Sequence, residues 1–226
     1  MRLSIVPLLG LACLLASPPS PAGVRHGASV HRTHAGGIAR THGTLATGPD
    51  GRRAWHAGGT TVGGDGSVSH VRAGGVSGPD GRAVGGRRTT VGNDGTIARR
   101  SGYVVQGANG GTMQGGRRVQ RGPDGTLQAG YAASGQRADG GSYSRSGSRT
   151  RTADGERMAS RQTLASGARG SYQGSTTRAG GTLSHDSSIS GATGNSYQGQ
   201  TSYTRGEGLS HTGTCTDAQG HTFDCR

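Results

Sequence analysis

The chain has 226 residues, of which 47 are Gly, and only 29% of its side chains are hydrophobic and 4% aromatic. Beyond the leader, Leu, Ile, Val and Phe make up about a tenth of the residues, below the roughly 20% that marks disorder at high net charge. This composition excludes a large globular core, because apolar burial must offset the entropy of ordering the backbone, which is greatest for Gly. The formal charge is +13, and all 25 basic residues are Arg, whose planar fork suits phosphate, sulfate and carboxylate.

At the N-terminus, "MRLSIVPLLGLACLLASPPSPAG" places Arg2 before an apolar run from Leu3 to Ala16 and then breaks into Pro and Ser. Residues 1–22 therefore read as a secretory signal peptide cleaved near Ala22. The run is too short to span a bilayer. "LGLAC" ending at Cys13 resembles a bacterial lipoprotein box, but Gly10 stands where such boxes prefer Leu. The expected address of the mature chain is secreted, periplasmic or on the cell surface, with no transmembrane span.

Residues 23–46 carry His26, His31, His34 and His42, few apolar residues and no turn rhythm, and are expected to form a flexible arm. Imidazoles can chelate transition metals, but without neighbouring Cys or carboxylates these four are read as solvated polarity. No metal or cofactor is expected.

From residue 47 to about 166 a beat appears. Asp or Asn followed by Gly stands at Asp50, Asp65, Asp80, Asp94, Asn109, Asp124, Asp139 and Asp154, at intervals of 15, 15, 14, 15, 15, 15 and 15 residues. Such steps favour tight turns, and the Pro of "GPDG" presets the entry. Further Gly sites half a repeat later, such as 57–59, 73–75 and 84–86, suggest a second turn and strands of roughly five residues, as in "TTV" and "YVV". Val62, Val68, Val76, Ala83, Val91, Ile97, Val105, Val119 and Leu127 recur beside the turns as inward-facing side chains.

The fold class that follows is all-β, with tandem ~15-residue β-hairpin repeats forming a thin antiparallel meander. A β-solenoid with one repeat per coil and a largely disordered chain are the alternatives. A calcium-binding roll is not supported, because here the acid precedes the Gly where the nonapeptide roll places it after.

Residues 167–211 hold a second, degenerate repeat, "SYQGSTTRAGGTLSH" and "SYQGQTSYTRGEGLSH". Residues 212–226 contain Cys215 and Cys225, expected to close a terminal disulfide loop in an exported chain.

No nucleophile elbow, paired carboxylates or phosphate-cradling loop stands out, so no enzyme activity is expected. The pairs Arg52–Arg53, Arg87–Arg88, Arg99–Arg100 and Arg117–Arg118 would place one guanidinium on each face of a sheet. The expected function is a non-enzymatic envelope or matrix protein that presents Arg to lipopolysaccharide, anionic exopolysaccharide or, nonspecifically, extracellular DNA. Self-association into a fibre-forming surface protein is the alternative.

Overall fold

The computed structural model describes residues 22–33 and 36–225. The signal-peptide and lipid-box readings fall on residues that, apart from Ala22, lie outside this set, as does His34. The described residues form a single sheet: β1 (Gly23–Arg32), β2 (Ile38–Thr47), β3 (Arg53–Val62), β4 (Val68–Gly78), β5 (Gly81–Val91), β6 (Ile97–Gly107), β7 (Thr112–Arg121), β8 (Leu127–Gln136), β9 (Ser142–Arg151), β10 (Arg157–Gly167), β11 (Gly170–Ala179), β12 (Thr182–Gly191), β13 (Ser196–Thr204), β14 (Gly208–Thr216) and the short β15 (Thr222–Phe223). Each strand pairs antiparallel with the next, in strict chain order. The chain is thus all-β, an open meander and not a solenoid.

One repeat supplies one long strand and one turn, so two successive repeats make a hairpin. The half-repeat glycines are not turns. Gly58, Gly74, Gly85 and Gly115 sit in mid-strand, and the strands run to ten or eleven residues where five were expected. The difference has a simple cause: in a single layer a Gly costs little packing, and several lie under an aromatic ring from a neighbouring position. Residues 23–32 and 38–47 likewise form β1 and β2 rather than a flexible arm, in ten-residue register from Gly23 opposite Thr47 to Arg32 opposite Ile38.

The Asp-Gly steps do make the turns, by a different geometry from that of a turn with two positive-φ residues. Only Gly adopts positive φ; Asp65, Asp94 and Asp124 do not. At the β3–β4 turn the Gly63 amide donates to the Ser67 carbonyl at 2.8 Å and the Gly66 amide to the Gly63 carbonyl at 3.1 Å. This is a type I turn closed by a left-handed Gly in a bulge. The same pair of bonds recurs from Gly48, Gly92, Gly107, Gly122, Arg137 and Thr152. The Asp side chain faces forward: Asp65 Oδ1 accepts from the Ser67 amide at 2.9 Å and from Ser67 Oγ at 2.7 Å. Thr96 and Thr126 repeat this on Asp94 and Asp124.

There is no interior. The accessible area is 16213 Å², far above the roughly 9,500 Å² of a compact protein of this mass. Ala39 is the one apolar side chain buried among the described residues, while Val62, Val76, Val91 and Ile97 remain over a third exposed. The recurrent apolar positions are not inward-facing, but register and alternation put all of them on one face of the sheet. There Val62, Val68, Val91 and Ile97 meet as direct cross-strand neighbours, a contact worth about 0.2–1 kcal/mol per pair. Stability therefore comes from ladder hydrogen bonds and cross-strand pairs repeated many times.

The β4–β5 connection is tighter, with only Pro79 and Asp80 between the strands, and Gly81 at φ 124°. A Cβ there would overlap the Gln106 carbonyl oxygen of β6, whereas one on Gly110 would meet nothing within 4 Å. Replacing Gly110 by Ala is expected to cost about 1–2 kcal/mol for left-handed backbone alone. Gly81→Ala carries that cost and a steric one, and its urea midpoint should fall clearly below that of Gly110→Ala; equal midpoints would contradict the geometry.

Candidate functional site

Charge in this sheet is sorted by position. Asp186 is the only carboxylate within a described strand. The turn acids fall on two opposite edges, Asp65, Asp94, Asp124 and Asp154 on one and Asp50, Asp80 and Asp139 on the other, because successive turns alternate ends. Arginines fill the strands between them.

The expected Arg pairs lie as follows. Arg52 is in the β2–β3 turn, its Nε 2.9 Å from Asp50 Oδ2 and its Nη2 3.1 Å from Asp80 Oδ2, so it is an edge residue spent on ion pairing. Arg53 begins β3 opposite Ser77. Arg88, Arg100 and Arg118 stand directly opposite one another across β5, β6 and β7, a ladder of three like charges on one face. Arg88 Nε donates to Ser69 Oγ at 3.1 Å, and Arg118 Nη2 to Gln120 Oε1 at 3.0 Å. Their sequence neighbours Arg87, Arg99 and Arg117 project from the other face, where Arg72 opposes Arg87. Among the described arginines, Arg52 alone is ion-paired to a carboxylate. Like charges at directly opposed positions are destabilising.

The two faces differ chemically. One carries all six tyrosines, with Arg72, Arg87, Arg117, Arg145, Arg149 and Arg161 among its cations. The other, from β8 to β14, presents mainly Ser, Thr and Gln; Ser148–Ser160 at 2.8 Å and Ser142–Ser166 at 2.7 Å are two of its cross-strand hydrogen bonds. No Arg of β8 to β14 lies on this hydroxyl face.

On the tyrosine face one cross-strand row is uncharged from end to end, passing through Val24, Ala46, Ala54, Val76, Ala83, Val105, Met113, Gly135, Tyr143, Ala165, Tyr172, Ile189, Tyr197, Cys215 and Phe223. It touches every strand. Its aromatic members fall on β9, β11, β13 and β15, every second strand. Residue-by-residue reading of the Asp-Gly beat missed them. Their signal is a hydroxyl residue followed by an aromatic at the start of alternate strands: Ser142-Tyr143, Ser171-Tyr172, Ser196-Tyr197 and Thr222-Phe223.

Several rings lie down on glycine. A Cβ on Gly147 would come within 2.7 Å of the Tyr131 ring, and one on Gly115 within 2.8 Å of the Tyr103 hydroxyl. Tyr172 covers Gly174 and Tyr197 covers Gly199 in the same way. The Arg145 guanidinium sits 5.7 Å from the Tyr131 ring centre, a cation–π contact. A hydrogen bond with Tyr131 is the main cause that raises its pKa above the ordinary arginine value.

His26, His31 and His42, expected on an arm, are strand residues. His26 and Thr44 share a hydrogen bond of 2.9 Å across β1 and β2, and His42 meets His56 edge-on at 6.1 Å. Among the described residues no group of three or more His, Cys, Asp or Glu is placed to hold a metal. Cys215 and Cys225 form the expected disulfide, Cα atoms 5.5 Å apart, bracing β15 against β14; disulfides persist in oxidising compartments outside the cytosol. Among the described residues no helix is long and apolar enough to cross a membrane. Comparison with known proteins identifies no matching family model, no similar curated protein and no similar solved structure.

Three carboxylates along one edge titrate low. Side-chain and then backbone hydrogen bonds from Ser67, Thr96 and Thr126 hold Asp65, Asp94 and Asp124 below the ordinary 3.8. A depressed carboxylate pKa stabilises the folded turn above the unfolded value, and that stability is lost as pH falls through the lowered folded value. Protection of the Gly66, Gly95 and Gly125 amides should accordingly hold at pH 5 and decline below about 3.8. Ser67→Ala should move the Asp65 titration in NMR back up toward the ordinary value and leave Asp94 unmoved; an unshifted Asp65 would remove the side-chain hydrogen bond as the cause.

Proposed function

We propose that this chain is a non-enzymatic, exported repeat protein of the cell envelope or matrix that presents arginine to anionic polymers. One observation carries the reading: Arg88, Arg100 and Arg118 are set directly against each other with no strand carboxylate beside them. A row of polyanion charges laid along that ladder converts the mutual repulsion of the guanidinium groups into attraction. The +13 formal charge and the absence of Lys from the sequence favour the same partners, since Arg grips phosphate, sulfate and carboxylate with two parallel donors. Export rests on the leader and accords with the Cys215–Cys225 bridge.

A second reading, assembly through open sheet edges, draws on β1, whose ten residues are all exposed and whose outer side faces no described strand. Arg25 and Arg32 on that edge oppose self-pairing, as charged edge residues do generally.

Mature protein applied to immobilised heparin and to immobilised DNA at low salt should be retained, and it should elute on a rising salt gradient. The triple variant Arg88→Gln, Arg100→Gln, Arg118→Gln should elute at lower salt while being no less stable in the absence of polymer, because it removes opposed like charges. Failure of the wild type to bind either matrix at low salt, with sedimenting aggregates instead, would replace this reading by self-assembly.

A further inference from the structure

The uncharged row on the tyrosine face has a period that the arginine ladders do not share. Tyr143, Tyr172, Tyr197 and Phe223 occupy one row on alternate strands, separated by Ala165, Ile189 and Cys215. Two strand spacings make the rings about 10 Å apart. In an extended β-linked polysaccharide alternate sugars are turned over, so that every second ring offers the same apolar face, and the distance between those rings is close to this interval. Adjacent bases of a single-stranded nucleic acid stand closer together.

The rings are also shaped for stacking. Tyr172 rests on Gly174 and Tyr197 on Gly199, where a Cβ would collide with either ring. Glycine beneath these two rings lets them lie along the sheet, where they are half-buried, while Tyr143 and Phe223 are 42% and 55% exposed. The same face carries no strand carboxylate, and Arg145 stands two residues along β9 from Tyr143, roughly 7 Å away. Arg161 and Arg178, on β10 and β11, stand four and six residues from the row, on a line that runs away from it. Apolar rings in a line, with Arg145 beside the first of them on a face free of strand carboxylates, match a chain of sugars that bears acid groups. A planar membrane fits less well, because a sheet of this many strands twists by about 20° per strand and meets a plane over few of them, whereas a linear polymer follows the twist.

We infer that the row Tyr143–Tyr172–Tyr197–Phe223 is a sugar-stacking track that binds an extended acidic polysaccharide running across the strands, with one disaccharide per aromatic ring. This inference rests on the anionic-polymer reading, names its ligand class and adds a second surface, on the face opposite the Arg88–Arg100–Arg118 ladder.

The test is calorimetric titration of the full mature chain with even-numbered alginate oligosaccharides, heparin fragments, oligo-dT and anionic phospholipid vesicles. Affinity for the oligosaccharides should rise with each added disaccharide up to about four, the number of rings. Tyr172→Leu and Tyr197→Leu should each weaken oligosaccharide binding about tenfold, the scale of one aromatic stacking contact, with little change for oligo-dT. Tyr172→Phe should bind as the wild type does. Leu keeps an apolar cover on Gly174 but offers no flat ring, and an unchanged far-ultraviolet circular dichroism spectrum verifies that the sheet persists. Saccharide binding that is salt-sensitive yet indifferent to both Leu variants would overturn the track and leave the anionic-polymer reading standing. An equal loss for oligo-dT, or tighter binding to vesicles than to saccharides, would overturn it in favour of those ligands. Binding to none of the four would overturn both.

Discussion

Everything in this molecule depends on one local event, the reversal of the chain at a glycine that accepts positive φ. Gly66, Gly95, Gly125 and their counterparts close bulged turns of a single design, and each returns a strand to the side of its predecessor in fixed register. The backbone ladder thereby does the work that an apolar interior does in a globular domain. Since each strand touches only its sequence neighbours, cooperativity is nearest-neighbour in kind, as in other repeat arrays.

This explains how a chain so poor in large apolar residues folds at all. Loop closure over three residues costs little entropy, and every strand then gains a full set of amide bonds with the strand before it. Asp contributes at the corner itself, by accepting from the amide and hydroxyl of the residue two places on, and its carboxylate is thereby confined to the sheet's edges. The arginines between are left without local counter-charges. Turn chemistry and the positive charge of the faces are thus two results of the same segregation.

Much of the architecture was legible in the sequence, and the reason is physical. The Asp-Gly interval of about fifteen residues is one strand plus one turn, so the period reports the topology directly. What the sequence obscured was the meaning of the second glycine. Gly58, Gly85 and Gly115 look like turn signals when read along the chain, yet the ladder carries them as strand residues, because a single layer does not penalise a missing side chain. The arm of residues 23–46 was misjudged for a related reason: its corner, around Gly36 and Gly37, lacks the Asp. The tyrosine row was hidden because its members are 25 to 29 residues apart and become neighbours only after alternate strands are laid side by side. Alternation alone divides Arg87–Arg88, Arg99–Arg100 and Arg117–Arg118 between opposite faces, while the turn retains Arg52.

The alternation of the strands also sets the step in which such a protein can lengthen or shorten during evolution. Inserting one strand reverses the direction of everything downstream, exchanges its edges and takes Phe223 out of line with Tyr143. Inserting two restores direction and edge, so that a duplicated hairpin extends the aromatic row without disturbing it. The copied segments beginning at Ser171 and Ser196 are such a pair, and growth by hairpins lengthens the aromatic row by one ring for each duplication.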